Sequence, residues 1–100
     1  MDIKITHDGD KGRAEINGDI DEKGAEILKA KVKELENIKE ITIDLRGVGY
    51  MGSSGIGKLL LFYKKIGVQG GKMSVVNVRP DLYRLFQELK LDTIFTITPK

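Results

Sequence analysis

Apolar positions along this chain alternate between two periods, two and three-to-four, and the switches mark out the elements. Ile3 and Ile5 alternate with Lys4 and Thr6, the pattern of a short half-buried strand. Asp8-Gly9-Asp10-Lys11-Gly12 is turn chemistry, because Gly and Asp tolerate unusual backbone angles. Arg13 to Gly18 reads as a second strand, so the opening predicts a hairpin. The period then lengthens. Asp21 is placed to cap a helix from Glu22 to about Glu36, with Ala25, Leu28, Val32 and Leu35 on one face and Lys29, Lys33 and Glu36 toward water. Asn37 is the expected stop.

Ile41, Ile43 and Leu45 restore the period of two, and their mixed run suggests a central strand. A helix follows from about Ser53 to Ile66. Its stripe is Ile56, Leu59, Leu60 and Tyr63, widened by Phe62 and Ile66, as for a helix packed on a sheet. Gly67 to Gly71 ends it. Met73 to Val78 is rich in β-branched residues and reads as a strand. Pro80 suits the first position of a third helix, whose buried stripe is Leu82, Leu85, Phe86 and Leu89. Thr93 to Thr98 is a last short strand. Strands separated by helices predict an α/β domain: a mixed, mostly parallel sheet of four to five strands with right-handed crossovers, helices packed against it, and an antiparallel opening hairpin.

Length and composition narrow the function classes. One hundred residues suggest one domain with one core, spanning 1–100. Lys plus Arg is 17 against 15 for Asp plus Glu, and the basic residues are scattered, so nothing points to nucleic acid. There is no cysteine, hence no disulfide framework and no thiol nucleophile. One histidine, His7, cannot build a zinc site, and no metal or cofactor is expected. No apolar stretch approaches the roughly 18–20 residues that span a bilayer, and Met1-Asp2-Ile3-Lys4 lacks a signal-peptide pattern, so the expectation is a cytoplasmic protein.

The candidate chemistry lies in Gly49-Tyr50-Met51-Gly52-Ser53-Ser54-Gly55-Ile56-Gly57-Lys58, a glycine-rich, hydroxyl-bearing turn that opens a helix. Free N–H groups and the helix dipole favour a phosphate there. Gly52 to Lys58 fits part of the Walker pattern, but Leu59 stands where Ser or Thr would hold Mg²⁺. A plain strand-to-helix turn is the better reading than a nucleotide-binding enzyme. A serine nucleophile at Ser53 or Ser54 needs a base within reach, and nothing places His7 there, so no catalytic residue is assigned. Asp19, Asp21 and Glu22 are explained by a helix cap and favourable first-turn charge, which leaves room for a surface role. Ser53 has two compatible readings, a helix cap and an acceptor of phosphate from a partner; the added charge of about −1.5 to −2 would repel an acidic partner surface.

Taken together, the segments resemble a family, the STAS domain in the form of bacterial anti-sigma factor antagonists. Gly18-Asp19-Ile20-Asp21 with Ala25 and Leu28 is similar to the family's Gly-Glu-Leu-Asp segment and following helix. Ile43-Asp44-Leu45, Val48, Tyr50 and Met51 resemble the approach to its phosphorylation motif, and Ser53-Ser54-Gly55-Ile56-Gly57 matches the motif's core. Gly70-Gly71-Lys72, then Pro80, Leu85, Leu91 and Phe95, fit the closing elements. The resemblance implies a small domain without catalysis of its own. It would bind an anti-sigma factor that is also a serine kinase, free the sigma factor, and be switched off by phosphorylation, with a phosphatase as a further partner. The acceptor carries to Ser53, with Ser54 as the alternative; Asp21, Gly52, Ser53, Ser54, Gly55 and Ile56 carry to the partner surface. The family's Asp before the acceptor is Gly52 here, which removes a charge and loosens the backbone. Gly52 therefore favours an alternative, a phosphorylation-independent interaction module of a signalling or lipid-transport complex.

Overall fold

The computed structural model describes all 100 residues. Five strands, β1 (Asp2–Asp8), β2 (Lys11–Asn17), β3 (Glu40–Gly47), β4 (Lys72–Val78) and β5 (Thr96–Pro99), form one sheet in the order β1-β2-β3-β4-β5. The hairpin β1–β2 is antiparallel and every later pairing is parallel. β3 is the central strand, as its pattern predicts. Three helices, α1 (Glu22–Lys31), α2 (Ser53–Val68) and α3 (Pro80–Glu88), make the crossovers.

Because the parallel strands follow one another in sequence order, successive right-handed crossovers fall on the same face of the sheet. The strand registers agree with this. Ile5, Ala14, Ile43, Val75 and Ile97 align across the sheet; the last four join the buried core with Leu28, Leu59, Phe62 and Phe86 of the helices, and half-buried Ile5 packs against it. The next row over, Thr6, Arg13, Thr42, Ser74 and Thr96, points the other way and is polar throughout. A sheet covered on one face needs alternation, and that is the pattern the strands carry.

Several boundaries differ from expectation. The first helix ends at Lys31, and Val32–Leu35 tightens into a 3₁₀ turn. Three residues per turn place Leu35 beneath Val32 and keep Leu35 fully buried while the chain turns toward β3. Asn37, the expected stop, then takes a left-handed backbone with φ of 66°. On α2 the buried positions are Gly55, Leu59, Phe62 and Ile66, and Tyr63 is exposed. The stripe is rotated because Gly55, which has no side chain to signal it, is the closest-packed residue of its first turn. Gly67 lies inside α2, which runs to Val68. α3 stops at Glu88, so Leu89 is exposed and Leu91, in a further 3₁₀ turn at Leu91–Thr93, fills the core instead. β5 consequently starts at Thr96 rather than Thr93.

Gln69 holds the far end of α2. Its amide donates to the carbonyls of Leu35 (3.0 Å) and Ile38 (2.9 Å) and accepts from Asn37 N–H (3.3 Å). Three backbone groups of the turn into β3 thereby find partners.

On the polar face of the sheet, the Arg13 guanidinium donates to Asp44 at 2.6 Å, and Arg46 N–H donates to the same carboxylate at 2.9 Å. Burial works against the Asp44 charge, but Arg46 N–H, the Asn77 side chain and Arg13 together outweigh it and hold the carboxyl below its usual range. A depressed folded-state pKa gives stability that is fully present above the unfolded value of about 4 and lost as pH falls through the folded value. Asp44→Asn is therefore expected to be about 1 kcal/mol less stable at pH 7. Its deficit against the wild type should shrink as the pH is lowered below about 4. Urea midpoints at pH 7 and pH 3 check this; a deficit of the same size at both would show that the charge is not what matters.

Candidate functional site

Parallel strands end on one edge of a sheet, so the loops leaving β2, β3 and β4 meet there, and each opens a helix. This is the edge at which open α/β sheets carry their sites. The three helices begin at Asp21, Gly52 and Arg79, their N-cap residues.

The first two loops are stitched together. Gly18 N–H donates to Gly47 O at 2.9 Å, Ile20 N–H to Tyr50 O at 2.9 Å, and Gly52 N–H to Ile20 O at 3.0 Å. Ile20 and Met51 form an isolated parallel bridge. Ile20, Val48 and Met51 point inward and are buried, which fixes the alternate residues Asp19, Asp21 and Tyr50 on the surface. The bridge works because Gly55 lets α2 lie directly on Ile20: a β-carbon at 55 would stand 2.6 Å from Ile20 Cγ2 and 2.9 Å from Met51 Cγ. Asp21 thus comes to the same end of the sheet as Gly52, Ser53, Ser54 and Ile56, whereas Gly55, expected on the partner surface, is buried against Ile20 and Met51 and presents nothing to a partner.

Asp21 is the cap that its position predicts. Its carboxylate accepts from Gly24 N–H at 2.9 Å, and this bond, ahead of smaller effects, holds its carboxyl below the ordinary range. The cap reading of Ser53 is corrected. Gly52 occupies the N-cap of α2, with extended backbone (φ −80°, ψ 173°) and no side chain to bond the helix, and Ser53 is the first helical residue. The Ser53 side chain is exposed and uncommitted to capping, whereas Ser54 is half-buried. Residues 53–58 are already helical, so Gly52 to Lys58 does not form the open loop with which a Walker motif wraps phosphates.

His7 pairs with Gly12, which aligns with Ile41 near the start of β3. The only imidazole therefore lies toward the opposite edge of the sheet from the serines. No helix is long and apolar enough to cross a membrane.

The structure adds neighbours that sequence reading did not find. Glu22, Ala25 and Glu26 of α1 and Ser54 and Lys58 of α2 line a cleft of about 260 Å³ beside the turn that opens α2. The i, i+4 spacing of Glu22–Glu26 and of Ser54–Lys58 puts each pair on one helix face, a signal visible in the chain, but which faces meet is decided by helix packing. Gly49 lies beneath the Arg79 guanidinium: a β-carbon there would be 3.3 Å from Arg79 Nη1 and 3.7 Å from Asp19 Oδ1. Arg79 also donates through Nε to Arg46 O at 3.3 Å, tying the third loop to the second.

Comparison with known proteins places this geometry. The family model for the STAS domain matches residues 3–100. The anti-sigma-B factor antagonist of Bacillus subtilis (strain 168) is 30% identical over 101 residues, covering 100% of this chain and 93% of the relative. The anti-sigma F factor antagonist of Paenibacillus polymyxa is 28% identical over 102 residues, covering 99% and 85%. Among solved structures, the phosphorylated form of the Bacillus cell fate determinant SpoIIAA shares the fold with a TM-score of 0.76 at 18% identity, covering 96% of this chain and 90% of that one.

Proposed function

From the premise that the chain belongs to the STAS domain family and is a homologue of anti-sigma factor antagonists, we propose that it binds an anti-sigma factor with serine kinase activity and is released from it by phosphorylation at Ser53. The observation that carries this is the placement of Ser53. It is exposed in the first turn of α2 and shares a surface with Asp21 through the Ile20–Met51 bridge.

The domain supplies the acceptor and the partner supplies the chemistry. Ser53 Oγ attacks the γ-phosphorus of ATP, the bond to ADP breaks, and the serine proton passes to a base of the kinase. The product carries about −1.5 to −2 charges at a helix N-terminus, where the free N–H groups and the dipole accommodate it without loss of the fold. Asp19 and Asp21 share this edge with Arg79 and Lys58, so the phosphate turns a mixed field toward negative charge, which a partner's acidic groups would meet. Binding is lost by repulsion, and the domain stays folded.

The test is incubation of the protein with its anti-sigma serine kinase and ATP, read by mass spectrometry. One phosphate is expected, at Ser53. Ser53→Ala should take none and still bind. A phosphate that maps to Ser54, or none at all, removes the assignment. Gly52 favours a second reading, a phosphorylation-independent module of a signalling or lipid-transport complex, since no carboxylate precedes the acceptor. Partner binding indifferent to Ser53→Asp would select it.

A further inference from the structure

The N-terminus of α2 has no side-chain cap, yet it is not bare. Tyr50 Oη lies 3.2 Å, and Tyr50 Cζ 3.7 Å, from the point where a β-carbon on residue 52 would stand. The Tyr50 backbone is fixed by its carbonyl's bond from Ile20 N–H and by the buried Met51 beside it. The side chain is 55% exposed. A ring with that freedom lies back over Gly52, because Gly52 leaves the space. Gly49, on the other side of Tyr50, is covered in the same way by Arg79. The acceptor turn is thus shaped by two long side chains resting on two glycines.

We propose that Tyr50 is the specificity-determining residue of the Ser53 surface: it occupies the space from which a side chain at 52 would act, and it is the group a partner meets next to the acceptor. A capping carboxylate at 52 would satisfy helix N–H groups and present charge. Tyr50 instead presents an amphipathic ring with a hydroxyl, the type of side chain that anchors interfaces. Behind it, Met51, Leu82 and Leu85 line a hollow of about 130 Å³ that extends the surface onto α3. A side chain at 52 must therefore push the Tyr50 ring aside by at least a few tenths of an ångström, which couples the two positions. The recognition part of this inference rests on the kinase reading above; the competition for space does not.

Two measurements test it. The first is a double-mutant cycle in urea with the free protein. Gly52→Asp should raise the folded-to-unfolded ratio at least threefold more in a Tyr50→Ala background than in the wild type, because in the wild type the new side chain must first displace the ring from its place over residue 52. Equal effects in the two backgrounds overturn the competition. The second is steady-state phosphorylation of Ser53 by the kinase that phosphorylates the wild type. Tyr50→Ala should raise KM about tenfold with kcat little changed, the mark of lost uniform binding, and Tyr50→Phe should restore most of it. An unchanged KM in Tyr50→Ala overturns the recognition role. If the wild type takes no phosphate, the kinase reading fails and the recognition role falls with it, while the cycle still decides the competition.

Discussion

Gly55→Ala lowers the stability of this domain by about 1–3 kcal/mol, while Gly57→Ala, two positions along the same helix, raises it by about 0.5–1 kcal/mol. Both substitutions add one methyl group and both improve helix propensity. They differ in what the methyl meets. At 55 it would stand 2.6 Å from Ile20 Cγ2, 2.9 Å from Met51 Cγ and 3.3 Å from Ile20 Cβ. Ile20 is fully buried and has nowhere to move, so α2 must lift from the β2–α1 loop. At 57 nothing lies within 4 Å, and only the entropic gain remains. Urea denaturation of the two variants at pH 7, with an unchanged slope, gives both numbers. The functional consequence follows from the same contact. Lifting α2 from Ile20 separates Asp21 from Ser53, so partner binding should weaken in Gly55→Ala by more than the fraction unfolded explains, and should be unaffected in Gly57→Ala. A Gly55→Ala protein as stable as the wild type would show that the close packing of α2 on Ile20 is not what holds the two loops together.

Gly71→Ala is expected to cost about 3 kcal/mol or more. Its β-carbon would fall 2.3 Å from Lys39 O and 2.7 Å from Lys39 C, and 2.8 Å from Ile66 Cγ2. Two of these three atoms are backbone, at the entrance to β3. Lys39 O accepts from Lys72 N–H at 2.8 Å, and this bond precedes the Glu40–Lys72 register of β3 and β4. The strand start cannot retreat without breaking that register. The neighbouring Gly70 supplies a built-in control. It has φ of 78°, and the nearest atom to its added β-carbon is the end of the Lys39 side chain at 4.0 Å. Gly70→Ala therefore suffers only the left-handed backbone penalty, about 1–2 kcal/mol. Thermal melts should rank wild type above Gly70→Ala and Gly70→Ala above Gly71→Ala. The reverse order of the two variants would mean that conformation, not space, is the constraint at this turn.

These contacts also show which parts of the protein are written locally. The eight strands and helices were legible in order, because each carries its period of two or of three to four in its own residues. Asp21 as a cap was legible, because an N-cap acts within three residues and Gly24 is the group it meets. The parallel sheet was legible from the alternation of elements, since a right-handed crossover has one way to return. What failed were details set by neighbours distant in sequence. Leu89 reads as core from its spacing, but the chain brings Leu91 to that place instead. Tyr63 reads as part of the α2 stripe, but the helix is turned so that Gly55, with no hydrophobic signal at all, faces the core.

The candidate surface divides in the same way. By itself the sequence determined the hydroxyl-bearing turn at residues 49–58, the absence of a Mg²⁺ ligand at Leu59, and the presence of an acidic segment at residues 19–21. Motif chemistry depends on residue types at short spacing, and those are on the chain. Only the tertiary structure decided that the two segments form one surface, through an Ile20–Met51 bridge between residues 31 positions apart. Only it decided that Gly52, not Ser53, caps α2, leaving Ser53 exposed beyond the cap, and that Tyr50 lies over the glycine. The reason is steric. A glycine records in sequence only that a side chain is missing, and what comes to fill or to need that space is settled by how separate elements pack.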